Sequence, residues 1–378
     1  MSWIDCLLGD VLELKRGYDL PNDQRKIGDI PVVSSSGITG FHNKKKVTGP
    51  AVVTGRYGTL GEVFYVQGSC WPLNTALYVK DFKGNRPRFI YYYLQNILKG
   101  VQSDKAAVPG LNRNDLHARK VRFVKGNKAQ ESIENLVSPY DGLIANNRRR
   151  IQLLEESAQL HYKEWFVELR FPSHEHINII DGVPEGWKSG VISDYFDTTS
   201  GGTPSRKNPE YFEGEINWVK TKELDERYVF ETEEKITEEA VNKSAAKVFP
   251  AKSLLVSIYG GSNIGRTGIL DKPSASNQAC VVLLPKRQVE DYMFVQQWFK
   301  HNRMYLIGLS QGAAQTNINQ QTLKSLPILW PKAELIDLFI DDVRPIYRQI
   351  RNLALQIIQL EKARDILLIR LMNGELVV

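Results

Sequence analysis

The second half of this 378-residue sequence repeats the pattern of the first half. Five residues near the start recur after a constant 184 positions: Trp3, Leu7, Leu8, Asp10 and Gly17 match Trp187, Val191, Ile192, Asp194 and Gly201. Later matches are separated by 203 to 207 positions: Gly61 with Gly265, Asn74 with Asn277, Asn112 with Asn319, Pro139 with Pro345, and Glu155 with Glu361. The separation grows from 184 to 206 positions, and the largest increase precedes Gly61. This pattern predicts two copies of one structural unit with different insertions, as a protein needs if it reads two different things with one architecture.

Composition restricts the class of protein. Hydrophobic residues make up 42% and charged residues 24%, which is typical of globular domains. The sequence contains no apolar run of about 20 residues and its amino end does not resemble a signal peptide, so we expect a cytosolic protein. Cys6, Cys70 and Cys280 have no C-x-x-C spacing, which predicts neither a disulfide framework nor a zinc site. A net charge of +6 suits a polyanionic partner without requiring one.

Both copies read as mixed α/β regions. Residues 51–66 alternate β-branched and aromatic residues around glycines, which predicts two strands joined by a turn. A helix is predicted over residues 88–99 and a short buried strand over residues 121–124. The second copy repeats this order between Trp187 and Trp330.

Each globular region runs into a helix with a regular apolar seam. From Phe339 to Leu371 the seam residues alternate at spacings of four and three, interrupted by Arg364, and the first copy keeps the same alternation. The predicted seam comprises Ile144, Asn147, Ile151, Leu154, Ala158, Trp165, Ile350, Leu353, Ile357, Leu360, Leu367 and Leu371. Because a proline breaks the hydrogen-bond ladder inside a helix, we expect a short helix before Pro139 and a long one after it. The obvious partner for each seam is the matching helix of the other copy.

The linker favours antiparallel pairing of these helices. A helix from Pro139 to Leu169 is a rod of roughly 45 Å. Parallel pairing would require the linker to retrace most of that length nearly fully extended. The predicted fold class is therefore α+β, with two mixed α/β globular domains separated by two long helices in an antiparallel coiled coil with a pseudo-two-fold axis. The predicted domains are residues 1–125, a helical spacer at 126–169, a linker at 170–186, a second globular domain at 187–331 and a second helical spacer at 332–378.

Several catalytic patterns are missing from the sequence. The glycine turns near residues 55–61 and 260–265 lack the lysine and helix start of a phosphate-binding loop. His174 and His176 do not have the i, i+4 spacing of a helical metal pair. The sequence also lacks an N/D-P-P-Y/F methyltransferase tetrapeptide. We therefore expect a chain without catalytic residues, cofactor or metal of its own.

Several segments together resemble the specificity subunit of Type I restriction-modification enzymes. They are FPSHEH, DGVPEGW, SGGTPSRKNPEYF, INWVKT, GGSNIG, NINQQTLKSLPI and the terminal heptad helix. The resemblance extends over essentially the full chain. It is looser in the first copy, where ELKRGYDLP lacks the G-G-T-P run and GRYGTLG stands in place of GGSNIG.

The resemblance implies a non-catalytic DNA-recognition subunit. Each globular domain would bind one half of a split, asymmetric target in double-stranded DNA. The helices would set the spacing and dock two methyltransferase subunits, and through them two restriction subunits. S-adenosylmethionine would then belong to the methyltransferase partner, and ATP and Mg²⁺ to the restriction partner. An alternative is a coiled-coil scaffold whose globular ends bind other proteins, and a weaker one is an undetected enzyme.

Candidate DNA contacts are polar and basic residues in loops of the two globular regions. Lysines neutralise phosphates without reading sequence, whereas Arg, Asn and Ser side chains can pair with base edges. The candidates of the first domain are Ser34, Ser35, Ser36, Lys44, Lys45, Lys46, Arg56, Tyr57 and Asn74. Those of the second are Thr203, Ser205, Arg206, Lys207, Lys220, Thr221, Lys222, Tyr259, Ser262, Asn263, Arg266, Asn277 and Gln278. A solvated loop is the alternative for the lysine run, and a structural role is the alternative for the matched Asn74 and Asn277.

Overall fold

Short runs of β-branched and aromatic residues form strands in the computed structural model, which describes residues 2–99, 110–311 and 317–378. Contacts divide the chain into two compact units. The first unit comprises residues 1–146 and 356–378, and the second comprises residues 147–355. Each unit therefore contains one globular region and parts of both long helices.

Among its described residues, the first globular region contains nine strands and three α-helices. The strands are β1 (Ser2–Leu7), β2 (Glu13–Arg16), β3 (Ile30–Ser34), β4 (Gly37–His42), β5 (Ala51–Gly55), β6 (Val63–Val66), β7 (Trp71–Pro72), β8 (Ala76–Asp81) and β9 (Lys120–Lys125). The helices are α1 (Leu8–Val11), α2 (Pro87–Leu98) and α3 (Arg113–His117), and the long helix α4 (Asn127–Tyr162) follows.

The linker and the second globular region continue the chain. A small hairpin, β10 (Ile179–Ile180) with β11 (Val183–Pro184), lies in the linker. The strands that follow are β12 (Lys188–Val191), β13 (Phe196–Ser200), β14 (Ile216–Val219), β15 (Tyr228–Val229), β16 (Lys235–Ile236), β17 (Val248–Phe249), β18 (Leu254–Ser257), β19 (Thr267–Leu270), β20 (Ser274–Ser276), β21 (Cys280–Pro285) and β22 (Pro327–Trp330). The helices are α5 (Ile192–Tyr195), α6 (Glu238–Asn242), α7 (Tyr292–His301), α8 (Arg303–Gln311), α9 (Gln320–Lys324) and the long α10 (Ala333–Met372).

Sheet topology repeats between the units. The main sheet of the first unit has the strand order β2-β8-β5-β6, and the second unit has β13-β21-β18-β19 with β15 added at the edge. The strand pair β1-β9 likewise corresponds to β12-β22. The growing separation of matched residues has a structural counterpart, because residues 17–50 contain β3 and β4 whereas residues 201–253 contain β14 to β17 and α6.

Several residues that match between the copies stabilise turns and helix ends. Asn112 and Asn319 are both N-cap residues, whose side-chain oxygens accept the backbone amides of Asn114 at 3.0 Å and Thr322 at 2.7 Å. Asp10 and Asp194 each accept the backbone amide three residues earlier, at 2.9 and 2.8 Å. Gly17 and Gly201 allow close approach, because a Cβ atom at either position would lie 2.1 Å from a carbonyl oxygen. The matched positions therefore encode architecture.

The long helices differ from the sequence prediction at their prolines. The prediction of a short helix before Pro139 and a long one starting there is wrong, because α4 runs without interruption from Asn127 to Tyr162. Pro345 likewise lies inside α10. A proline in a helix interior loses one backbone hydrogen bond. Residues on both sides of each proline are buried, including Val137 and Ile144 beside Pro139, so packing holds the helix through this point.

Within each unit the two long helices pack antiparallel, as predicted. In the first unit Arg364 of α10 lies 2.9 Å from Asp141 of α4, and in the second unit Asp342 lies 3.2 Å from His161. Of the predicted seam, the buried residues are Ile144, Asn147, Ile151, Ala158, Trp165, Ile350, Leu353 and Leu371. The partly buried ones are Leu154, Ile357, Leu360 and Leu367.

The helix that follows β8 in the first unit and the helix that follows β21 in the second unit each make a hydrogen bond with a long helix at equivalent positions. Tyr92 of α2 donates to Asp141 at 2.6 Å in the first unit. In the second unit Gln297 of α7 donates to the hydroxyl of Tyr347 at 2.8 Å. Gln297 and Tyr347 lie 205 and 206 positions after Tyr92 and Asp141. The contact site is thus repeated while its chemistry differs.

Candidate nucleic-acid interface

The loop between β5 and β6 presents Arg56 and Tyr57 at the surface of the first unit. Both backbone amides donate to the carbonyl oxygen of Thr75, at 2.9 and 3.2 Å, which ties the loop to the start of β8. The guanidinium of Arg56 lies 4.4 Å from the centroid of the Tyr57 ring, a cation–π contact. These contacts hold the Arg56 side chain beside the Tyr57 ring.

The turn of the β3–β4 hairpin lies beside this loop. Ser35 neighbours Gly55 and Gly58, which brings the predicted serine run next to the predicted Arg56 and Tyr57. Ser34 is buried, and its hydroxyl accepts the backbone amide of Ser36 at 3.1 Å. Ser34 therefore shapes the turn, while Ser35 is partly and Ser36 fully exposed.

Three arginines from separate elements line one open groove of about 560 Å³ in the first unit. Arg16 ends β2, Arg56 lies in the β5–β6 loop and Arg113 begins α3. The buried side chains of Leu77 and Leu111 line the same groove. The amide of Leu111 donates to the carbonyl oxygen of Arg56 at 2.8 Å, which joins the α3 segment to the loop. We call this feature the arginine groove.

The sequence analysis missed Arg16 and Arg113, although the repeat contained a signal for both. Arg16 precedes a matched glycine and corresponds to Ser200, and Arg113 follows a matched asparagine and corresponds to Gln320. In the second unit, the hydroxyl of Ser200 donates to the amide oxygen of Gln320 at 3.0 Å. Two basic residues in one copy thus replace a neutral hydrogen-bonded pair in the other.

The predicted lysine run of the first unit divides into two environments. The ammonium group of Lys46 lies 4.9 Å from the Trp71 ring and 5.4 Å from the Tyr18 ring. Lys44 and Lys45 are exposed. Cation–π contacts thus hold Lys46 beside these rings, although its side chain, like those of Lys44 and Lys45, is exposed to solvent.

The matched asparagines Asn74 and Asn277 are both occupied within their own loops. Asn74 donates to the carboxylate of Asp19. The side-chain oxygen of Asn277 accepts the backbone amide of Ala279 at 3.2 Å. These bonds favour the structural alternative for the pair.

Three of the five basic candidates of the second unit, Arg206, Lys220 and Lys222, form an ionic network with two glutamates. Arg206 donates to Glu234 at 2.6 Å, and Lys220 lies 3.4 Å from both Glu233 and Glu234. Lys222 also pairs with Glu233. The hydrogen bond from Arg206 lowers the pKa of Glu234 despite partial burial, so that carboxylate is charged at neutral pH. Carboxylates of the same unit therefore offset much of this positive charge.

The remaining candidates near this network are polar and mostly exposed. Thr203 donates to the side chain of Gln278. The hydroxyl of Ser205 accepts the backbone amide of Lys207 at 3.3 Å, and the Lys207 side chain is exposed. Thr221 is partly buried in a short helical turn. Thr203 and Gln278 are the pair that the structure brings together here.

The loop between β18 and β19 presents the last group of candidates. Tyr259 is 41% exposed at the position corresponding to the Arg56–Tyr57 loop. The carbonyl oxygen of Ser262 accepts the guanidinium of Arg303 at 2.7 Å, and the backbone of Asn263 accepts the amide of Arg266 at 3.0 Å. The Ser262 and Asn263 backbones therefore form the loop, while the Tyr259 side chain extends from it.

Within residues 2–99, 110–311 and 317–378, the structure contains no cluster of side chains that could hold a metal ion. In the same part of the chain no helix is long and apolar enough to cross a membrane. Burial raises the pKa of the Cys70 thiol to about 11, as expected of an unreactive core cysteine.

Two α+β units with the same sheet order, joined by paired long helices, define a duplicated two-domain class of protein. The family model for the "Type I restriction modification DNA specificity domain" matches residues 2–156 and 184–337. The chain therefore belongs to the Type I restriction-modification specificity family, whose domain it carries in two copies.

Individual relatives match over parts of the chain. The Type I restriction enzyme HindI specificity subunit of Haemophilus influenzae is 28% identical over 51% of this chain and 42% of its own length. The MjaIX specificity subunit of Methanocaldococcus jannaschii is 29% identical over 45% of this chain and 40% of its own length. The matched segments thus span less than half of these relatives.

A solved structure matches over nearly the whole length. The S subunit of a Type I restriction-modification system from M. genitalium covers 98% of this chain and 96% of that chain, with a TM-score of 0.57 and 14% identity. At that identity, the similarity shows a shared fold.

Proposed function

We propose that this chain is the DNA-specificity subunit of a Type I restriction-modification complex and recognises a bipartite, asymmetric target in double-stranded DNA. The observation that carries the proposal is the contrast between the copies. Helix caps and turn glycines match, whereas exposed loops at equivalent positions differ in charge and side-chain type. One scaffold with two different polar surfaces is what recognition of two unlike half-sites requires.

In this proposal residues 1–125 and 187–331 are the two recognition domains. The helical segments 126–169 and 332–378 set their spacing, and residues 170–186 link the halves. The helices also dock two methyltransferase subunits, and through them two restriction subunits. Leu143 and Leu160 support a docking role, because their side chains on α4 are 51% and 66% exposed.

The chemistry belongs to the partner subunits. The methyltransferase would bind S-adenosylmethionine, and the restriction subunit would use ATP and Mg²⁺ in the cytoplasm. This chain would contribute affinity and sequence selection, with phosphates contacted by lysine and arginine and base edges read by Arg, Ser, Asn and Gln side chains.

Mapping of modified bases tests the proposal. The chain is co-expressed with its methyltransferase partner, and methylated positions are determined across the host genome. We expect a split target with two unlike halves. A chimaera whose residues 187–331 come from another specificity subunit should change one half, and the reciprocal swap of residues 1–125 should change the other. A continuous target, or methylation that is independent of this chain, would favour the scaffold alternative instead.

A further inference from the structure

The arginine groove lies on an accessible face of the first unit. Arg16 and Arg113 are exposed and Arg56 is partly exposed, so all three guanidinium groups can reach a ligand in solvent. Arg56 is held by its contact with Tyr57 and by two backbone hydrogen bonds of its loop. The groove has a volume of about 560 Å³, which exceeds the space that a single small ion needs.

Charge in this groove is uncompensated over the part of the chain that the structure describes. No Asp or Glu side chain in residues 2–99, 110–311 and 317–378 forms an ion pair with Arg16, Arg56 or Arg113. Elsewhere in the first unit the pattern differs, since Arg86 pairs with Glu134 at 2.8 Å. Three like charges along one groove repel each other, and an anionic ligand would relieve that repulsion.

The second unit lacks arginines at the positions of Arg16 and Arg113. Ser200 and Gln320 occupy the positions of Arg16 and Arg113 and are hydrogen-bonded to each other. The basic candidates Arg206, Lys220 and Lys222 of this unit are paired with Glu233 and Glu234, and a single candidate arginine, the partly exposed Arg266, lies in the β18–β19 loop. The two units therefore differ in the free positive charge that they offer to an anion.

From these observations we propose that the arginine groove binds backbone phosphates of DNA, and that the second unit has no equivalent cluster of three arginines. The inference rests on the proposed function and adds to it an electrostatic division between the two domains. The first unit supplies salt-sensitive anchoring. The second unit binds its half-site through contacts that depend less on ionic strength.

Phosphate is favoured over a base edge because of the number and origin of the arginines. A single guanidinium suffices for bidentate pairing with a guanine edge. Here three guanidinium groups from β2, the β5–β6 loop and α3 line one groove, together with Tyr57 and with Asn112, whose side-chain oxygen already caps α3. Contacts to phosphate position a protein along the duplex without reading its sequence.

Two variants with the same change in charge test the inference. R16Q/R56Q/R113Q removes three positive charges from the arginine groove, and the matched R206Q/K220Q/K222Q removes three from the second unit. Each full-length chain is assembled with its methyltransferase subunits. Duplex binding is measured by fluorescence anisotropy between 50 and 200 mM KCl. The probes are a duplex carrying the mapped target and a duplex with both half-sites scrambled.

The logarithm of the affinity falls with the logarithm of salt concentration by about 0.9 for each phosphate neutralised. We expect the groove variant to reduce this slope by about 0.9 to about 2.7, which corresponds to one to three phosphates, and to weaken both duplexes by the same factor. The second-unit variant should reduce the slope by less than about 0.5, roughly half of one phosphate contact.

Other outcomes of these binding measurements would each contradict one part of the proposal. If the affinity of the wild-type complex depends steeply on salt and the groove variant has the same slope, the phosphate site is wrong but the proposed function still stands. If the groove variant loses affinity only for the duplex with the mapped target, the arginines contact bases instead of phosphates. If both variants change the salt slope equally, the two units do not differ in their electrostatic contribution. If the wild-type complex does not bind either duplex, the proposed function itself fails. Melting temperatures check folding, and the single substitutions R16Q and R113Q repeat the measurement if the triple variant does not assemble.

Discussion

Asp141 links three parts of the first unit, and its removal is expected to destabilise that unit measurably. Its carboxylate accepts the hydroxyl of Tyr92 at 2.6 Å and the guanidinium of Arg364 at 2.9 Å. The side chains of Arg364 and Asp141 are 18% and 29% exposed. Burial disfavours the charge on Arg364, yet hydrogen bonds to Asp141 and Asp365 raise its pKa above the usual arginine value. The charge is therefore stabilised by these two partners.

The expected cost of D141A follows from the groups that lose a partner. The Tyr92 ring is fully buried, and a buried hydroxyl without an acceptor costs about 1–3 kcal/mol. In D141A, Arg364 still pairs with Asp365 at 2.9 Å and remains partly exposed to solvent. Loss of its ion pair with Asp141 should therefore cost about 1 kcal/mol, instead of the 3–5 kcal/mol expected for a fully buried pair. We expect D141A to lower the free energy of unfolding by about 2–4 kcal/mol. D141N, which retains an acceptor for Tyr92, should cost about half as much.

Urea unfolding of the full chain, followed by circular dichroism, measures these values. A double-mutant cycle with R364M separates the ion pair from the tyrosine contact, and a coupling energy of about 1 kcal/mol is expected for partly exposed partners. A loss below about 0.5 kcal/mol for D141A, in the range of ordinary surface substitutions, would refute the reasoning. Equal losses for D141A and D141N would also contradict the prediction, because most of the expected cost comes from the unpaired Tyr92 hydroxyl.

Two further predictions concern the second unit. L353A removes a seam side chain that is 1% exposed and should lower the free energy of unfolding by about 2–5 kcal/mol. The control L160A, whose side chain is 66% exposed, should change it by less than about 0.5 kcal/mol. Comparable losses for the two variants in urea titrations would contradict the assigned seam. The lowered pKa of Glu234 means that its pair with Arg206 adds stability above the unfolded glutamate pKa of about 4.3, and that this stability is lost as pH falls through the lower folded value. The difference in melting temperature between E234Q and the wild type should therefore become smaller below about pH 4. A larger difference at that pH would contradict the predicted pH dependence.

The repeat was readable from the sequence because its matched residues have local roles. Asn112 and Asn319 cap helices within three residues of themselves, and Asp10 and Asp194 accept backbone amides three residues earlier. Heptad spacing predicted the buried seam for a similar reason, since helical periodicity alone places its side chains on one face. Local rules of this kind need no knowledge of the tertiary fold.

The start of α4 required tertiary information. Pro139 correctly signals a lost hydrogen bond, but the fold retains the preceding turns because Ile133 and Val137 are fully buried. Glu134 accepts the backbone amide of Phe89 at 2.9 Å from the neighbouring helix. The proline penalty of about 3 kcal/mol is local, whereas these contacts join segments some 45 residues apart.

The charge environment of the candidate site was likewise decided by the fold. Residue type selected Arg206 as a DNA contact, but its partner Glu234 lies 28 residues away and pairs with it only after folding. Arg16 and Arg113 lie 97 positions apart and share a groove because β2 and α3 meet there. The sequence by itself determined the duplication, the helix seam and the family. Tertiary structure decided which charges remain free for a ligand, because electrostatic pairing depends on distances in space that separation along the chain does not define.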